Sequence, residues 1–182
     1  LFYLPLSGST FKKVYYDELL GRAVSKFVPA DDLIVPYTAS SLEDAEAVCH
    51  TLKMSENDLR KQQVNGFYRD IEIKPGYDQE TEVEKKEREL EGVTKTRQED
   101  VFSIVECHTD LDLEGFEDIG QDGEPTGIKL PYIVTLEMGS REILSIRRNY
   151  KAEDPLRKKI EYFVHFKFLP GLGFYGFGLI HM

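Results

Sequence analysis

Tryptophan is absent from the 182-residue chain, and cysteine occurs only twice, at Cys49 and Cys107. Two cysteines allow one disulfide at most, which excludes a small secreted module stapled by several bridges and favours a reducing compartment. No apolar run approaches the roughly 20 residues that a bilayer span requires. The longest runs, Leu1–Leu6 and Phe174–Met182, are too short or too rich in glycine, so neither a membrane span nor a signal peptide is expected. Positive charge is scarce: 23 Lys/Arg stand against 33 Asp/Glu, a formal net charge of −10. That balance argues against a simple nucleic-acid binder, whose surface ordinarily neutralises phosphates. No internal repeat, Walker motif or nucleophile elbow is evident.

What is present is ample material for a core, with 41% hydrophobic and 12% aromatic residues. This is the composition of a folded domain with a large wetted surface. The acidity is concentrated in one stretch: Tyr77 to Glu124 holds 17 Asp/Glu and 5 Lys/Arg. Arg141 to Lys167, with eight Lys/Arg against four Asp/Glu, is mildly basic. Such a face is usually solvated, and it also suits an acidic partner or a neighbouring subunit. The chain starts inside an apolar strand-like run, Leu1–Leu6, and stops as a helix-like run begins, so it reads as an excised fragment.

Between those ends the pattern is mostly of strands. Lys12–Tyr16, Arg22–Val28, Asp31–Val35, Ala47–Met54, Phe102–Leu113 and Tyr162–Phe168 alternate or are rich in β-branched and aromatic residues. Tyr132–Leu136 and Ile143–Ile146 flank Glu137–Glu142, the strongest hairpin signal. Ser55-Glu56-Asn57-Asp58 starts a capped helix that stops near Asn65-Gly66, and Glu80–Glu91 is a charged, exposed helix. Ser41–Asp44 is a turn or helix start, Gly115–Gly127 a polar loop, and Asp154-Pro155 opens a turn or short helix. Most strands follow one another without an intervening helix, which predicts an α+β domain built on a largely antiparallel sheet with one or two short-to-medium helices.

Three groups of residues invite chemistry. Gly171-Leu172-Gly173-Phe174-Tyr175-Gly176 has the G-x-G-x-x-G spacing of a dinucleotide site. Only six residues follow it, however, Pro170 precedes it, and two bulky aromatics stand where phosphate would approach. Close backbone packing explains the glycines better. Cys49-His50 and Cys107-His108 suggest zinc or a Cys–His pair, but neighbours on a strand point to opposite faces, so each dipeptide offers one ligand to one site. Buried apolar cysteines and half-exposed histidines are expected instead, although a cross-pair of Cys49 with His108 stays open. Asp110, Asp112 and Glu114, with Glu117, Asp118 and Asp122, have carboxylates enough for Ca2+ but lack the EF-hand order, which favours a solvated acidic loop. A small nucleotide- or metal-binding enzyme domain using the 171–176 run or the 110–124 loop is therefore the alternative reading. No catalytic, cofactor or metal residue is assigned.

Three blocks taken together carry a resemblance. FVPADDLIVPYTASSLEDAEAVCHTLKMSENDLRKQQVNGFYRDI (Phe27–Ile71), LPYIVTLEMGSREILSIRRNY (Leu130–Tyr150) and YFVHFKFLPGLGFYGFGLIHM (Tyr162–Met182) resemble the portal proteins of tailed bacteriophages, particularly the large portals of short-tailed phages. The resemblance implies a structural, non-enzymatic subunit of a twelve-membered ring at one capsid vertex. Double-stranded DNA passes through that ring without specific binding, and terminase, capsid and tail or adaptor proteins are its partners. It implies no cofactor, and a place in the virion after assembly in the host cytoplasm, from a phage or prophage gene. On this reading residues 1–178 form a wing-like α+β domain, and residues 179–182 begin a helix that leads to a stem. Acidic and basic segments would then meet across a heterologous ring interface, with Arg147, Arg148 and Lys151 as contact residues.

Overall fold

Alternation of inward Phe11, Lys13 and Tyr15 with outward Lys12, Val14 and Tyr16 makes Ser9–Asp17 the strand β1. In the computed structural model, which describes residues 3–17, 20–73, 86, 89–90, 101–120, 122–171 and 173–181, this strand pairs on both sides. One neighbour is β2 (Arg22–Val28), with Phe11 opposite Val28 and Asp17 opposite Arg22. The other is β8 (Phe163–Lys167), with Phe11 opposite His165 and Lys13 opposite Phe163. A second sheet has the order β3 (Leu33–Ile34), β4 (Ala47–Ser55), β5 (Val101–Leu111), β6 (Leu130–Glu137) and β7 (Ile143–Arg148). Both sheets are antiparallel and the described helices are short, so the fold is the α+β architecture that the strand pattern predicts.

The chain divides into two compact units. The first gathers Leu1–Thr51, Glu106–Val134 and Ile146–Met182. Its core is Phe11, Val28, Leu33, Ala39, Ala45, Val48, Phe163 and Phe174. Complete burial of a side chain such as Phe11 or Leu33 stabilises by about 1.5–3 kcal/mol. The second unit gathers Leu52–Val105 and Thr135–Ser145, and among its described residues Leu59, Tyr68, Phe102, Ile104 and Leu144 form a buried core.

In the second unit α2 (Glu56–Val64) starts where expected: the Ser55 hydroxyl accepts from the Asp58 N–H at 3.2 Å. Such a cap is worth about 1 kcal/mol. The helix ends at Asn65, and Gly66 takes the left-handed φ of +73° that lets the chain double back. The buried Gln63 amide then donates to the carbonyls of Arg69 and Ile71, pinning the segment that follows. The β6–β7 hairpin also forms as expected, and the buried Glu137 carboxylate accepts from the Ser140 N–H to close its turn.

Several expectations are corrected. Leu1–Leu6 was expected in strand form; instead α1 (Leu4–Ser7) is a single helical turn, because Pro5 suits a first turn and Gly8, at φ +77°, closes it by donating to the Leu4 carbonyl. Only Leu33–Ile34 of Asp31–Val35 pairs as strand, since Ala30–Asp32 is wound into a 3-10 turn after Pro29. The helix-like C-terminal run is a 3-10 turn over Leu179–His181. The helix expected over Glu80–Glu91 falls almost wholly outside the described residues.

Candidate functional site

Strand alternation in β5 puts Glu106 and His108 on one face and Cys107 on the other. The first face is turned inward, leaving the Glu106 side chain 11% and the His108 side chain 5% exposed. Lys13, projecting inward from β1, donates to Glu106 Oε1 at 2.6 Å, and His108 Nε2 stands 2.7 Å from the same oxygen. An ionised carboxylate only accepts, so Nε2 of His108 carries the hydrogen. Arg147 on β7 brings its guanidinium within 4.0 Å of Oε2.

Burial alone would raise the Glu106 pKa. The hydrogen bond from His108 and the Lys13 charge outweigh it, and the carboxyl is held far below its ordinary value. Lys13 is steadied further by the rings of Tyr15 and Phe163, each centred 5.7 Å from its ammonium. His50, from β4, shares the field of this cluster. Burial, and then the Lys13 charge, lower its pKa to about 4, and its Nδ1 has no hydrogen-bond partner among the described residues.

Beside His108 lies a recess lined by Leu42, Val48, Lys159, Glu161, Tyr162 and Phe163, with room for a molecule of water size. A carboxylate locked between an ammonium and an imidazole, behind aromatic rings, is arranged to hold a charge in place. Its result is to tie β1, β5 and β7 together within the first unit. Removing one partner of such a buried pair typically costs about 3–5 kcal/mol, because the other charge is left uncompensated.

The other predicted groups are placed as follows. Cys49 and Cys107 are half-exposed and joined to each other, not unpaired apolar fillers, which corrects that expectation. Their Cα atoms are 4.1 Å apart on neighbouring strands, so two short side chains on the same face meet. Cys49 is therefore unavailable as a nucleophile for His108. His108 is buried, which corrects its expected half-exposure.

Gly176 donates its N–H to the buried Ser9 hydroxyl at 2.8 Å, and a side chain on Gly176 would run into the Gly8 carbonyl. Gly178 meets the Leu6 carbonyl in the same way. These glycines serve close backbone approach, as the sequence suggests, although the contact is with the α1–β1 corner. Asp118 of the acidic loop is engaged by Thr126 and by Arg157. No group of three or more His, Cys, Asp or Glu side chains is arranged to hold a metal among the described residues.

Arg147 and Arg148 are adjacent on β7 and so face opposite ways. Arg147 is turned toward Glu106, whereas Arg148 and Lys151 are exposed. The ion pair of Asp118 with Arg157 and the approach of Arg147 to Glu106 satisfy part of the acidic-to-basic complementarity inside the chain.

The Lys13–Glu106–His108 cluster is the feature that sequence reasoning missed. Its signal was a Glu and a His two apart on the apolar face of a strand. No helix among the described residues is long and apolar enough to cross a membrane. No protein-family model matches the chain, and no curated protein does.

Proposed function

We propose that the chain is a structural part of a tailed-phage portal subunit, contributing a wing-like region to the twelve-membered ring that conducts DNA into and out of the capsid. The observation that carries this reading is the order and joint presence of the three portal-like blocks, Phe27–Ile71, Leu130–Tyr150 and Tyr162–Met182. Surface chemistry supports a role in assembly. The outward face of the β2–β1–β8 sheet presents Val14, Tyr16, Phe27 and Val164, all substantially exposed, with Lys12 among them. A sheet face of this kind suits a neighbouring protein surface better than bulk water.

Ring formation then brings in terminase on one side and capsid and tail proteins on the other, with DNA passing through transiently. Arg148 and Lys151 are the exposed members of the basic trio on this reading. The test is negative-stain electron microscopy with mass measurement on the full-length product of the open reading frame. Rings with a central channel are the expected result; a monodisperse monomer or dimer overturns the reading. Charge reversal at Arg148 and Lys151 is expected to impair ring assembly or raise its salt sensitivity, and unchanged rings would remove these residues from the interface.

A further inference from the structure

Cys49 and Cys107 are 58 residues apart, and the position of their bond along the chain is specific. The chain leaves the first compact unit after Thr51 and returns to it at Glu106. The bond joins residues just outside those two crossings, so it closes a loop around Leu52–Val105, the larger part of the second unit. Among the described residues, Leu59, Tyr68, Phe102, Ile104 and Leu144 form a buried apolar cluster in that unit. A cross-link that closes a loop of this length limits the freedom of its unfolded chain and so adds to the stability of what folds inside it. Both cysteines are half-exposed, and Cys107 lies on the opposite face of β5 from the enclosed Glu106 and His108, which keeps the bond apart from the first unit's buried ion pair.

We propose that Cys49–Cys107 is a reversible thiol–disulfide site whose redox state sets the local stability of the Leu52–Val105 excursion. The chemistry is exchange with a low-molecular-weight thiol. A thiolate attacks one sulfur, the Cys49–Cys107 bond breaks, and a mixed disulfide forms as the second cysteine leaves as thiolate and takes a proton. A second small thiolate then attacks the small-molecule sulfur of that mixed disulfide, forming the small-molecule disulfide and expelling the remaining cysteine as a thiolate that takes a proton. The net result is two cysteine thiols and one small-molecule disulfide, with two electrons and two protons transferred to the protein. The reverse exchange with a small disulfide re-forms the bond. Opening the closure restores chain freedom to the unfolded excursion, and β1 and β8, outside the loop, are spared.

The test equilibrates the native chain in reduced and oxidised glutathione mixtures, counts alkylatable thiols by mass, and follows amide hydrogen exchange in both end states. Two thiols are expected to appear together. Amides around Leu59, Phe102 and Ile104 then exchange roughly 100-fold faster in the reduced protein, while those of Ser9–Asp17 and Phe163–Lys167 change by no more than a few-fold. The double variant Cys49→Ser/Cys107→Ser is expected to behave as the reduced protein in every mixture. Should that variant not fold, the titration of the unaltered chain still decides. A bond absent from the most oxidising mixture, a bond reducible only after denaturation, or equal exchange in the two states would each overturn the proposal.

Discussion

Acidification from about pH 7 to about pH 5 should destabilise the fold mainly through two histidines, His50 beside the Phe163 ring and His165 two residues along β8. His50 is lowered to about 4 by burial and then by the Lys13 charge, with Glu106 opposing and His108 and Lys26 adding smaller effects. His165, stacked against both Phe11 and Phe174, is lowered to about 4 by burial and then by Lys167. An unfolded imidazole titrates near 6.5, so below that value the unfolded chain binds protons that the native protein refuses, and stability falls with pH until about 4. Without screening, each ring would contribute just under 2 kcal/mol to the difference between the two conditions. Both rings are partly reachable by solvent, so about half of that is retained, and the pair accounts for roughly 2 kcal/mol.

Glu106 does not enter this window. Its carboxyl is held low in the fold, so its stabilisation is present above the unfolded value near 4.3 and is lost only as pH falls below it. Urea unfolding at the two pH values measures the loss, and the control is His50→Gln/His165→Gln. Whatever that variant costs at neutral pH, its additional loss on acidification should shrink by about 2 kcal/mol relative to the parent. An equal acid-induced loss in parent and variant would refute the reasoning.

Three further outcomes are expected. Glu106→Gln, which strands the Lys13 ammonium, should cost roughly 3 kcal/mol in chemical denaturation, and adding Lys13→Met should recover much of it; simple additivity in that double-mutant cycle would deny the coupling. Ser55→Ala removes the α2 cap and should cost about 1 kcal/mol, with helical content otherwise kept by circular dichroism. Gly176→Ala drives a methyl into the Gly8 carbonyl and should lower stability by more than about 2 kcal/mol; a thermal melt like that of the parent would mean that this backbone contact is absent.

Those positions also mark how far the sequence could be read. Local signals were legible: Ser55 and Asn65-Gly66 bracket α2, period-two alternation located β4 and β5, and richness in Val, Tyr and Phe located β1 and β2, each to within a few residues. Leu1–Leu6 misled because an apolar hexapeptide suits either a strand or a helical turn, and the deciding contact, Gly8 against Gly176 and Gly178, comes from some 170 residues away. Pairing across strands was equally hidden. Alternation correctly showed that Cys49 and His50 cannot share a site, but not that β4 and β5 are neighbours in a register that sets Cys49 against Cys107. The Lys13–Glu106 pair spans 93 residues and two sheets, so neither local pattern could announce its partner.

The meeting of α1 with the Leu179–His181 turn has a consequence for how the chain can be rearranged. Because Ser9 grips Gly176, and the Phe168 N–H donates to the Gly8 carbonyl, the incoming and outgoing strands of polypeptide emerge side by side. Whatever is attached at one end is brought next to whatever is attached at the other. The first unit thus takes in and lets out its chain at one place, a geometry that suits insertion into a loop of a host protein. By the same geometry a short tether across its ends, with a cut at the exposed Gly21 turn between β1 and β2, gives a circular permutant with its sheet order intact.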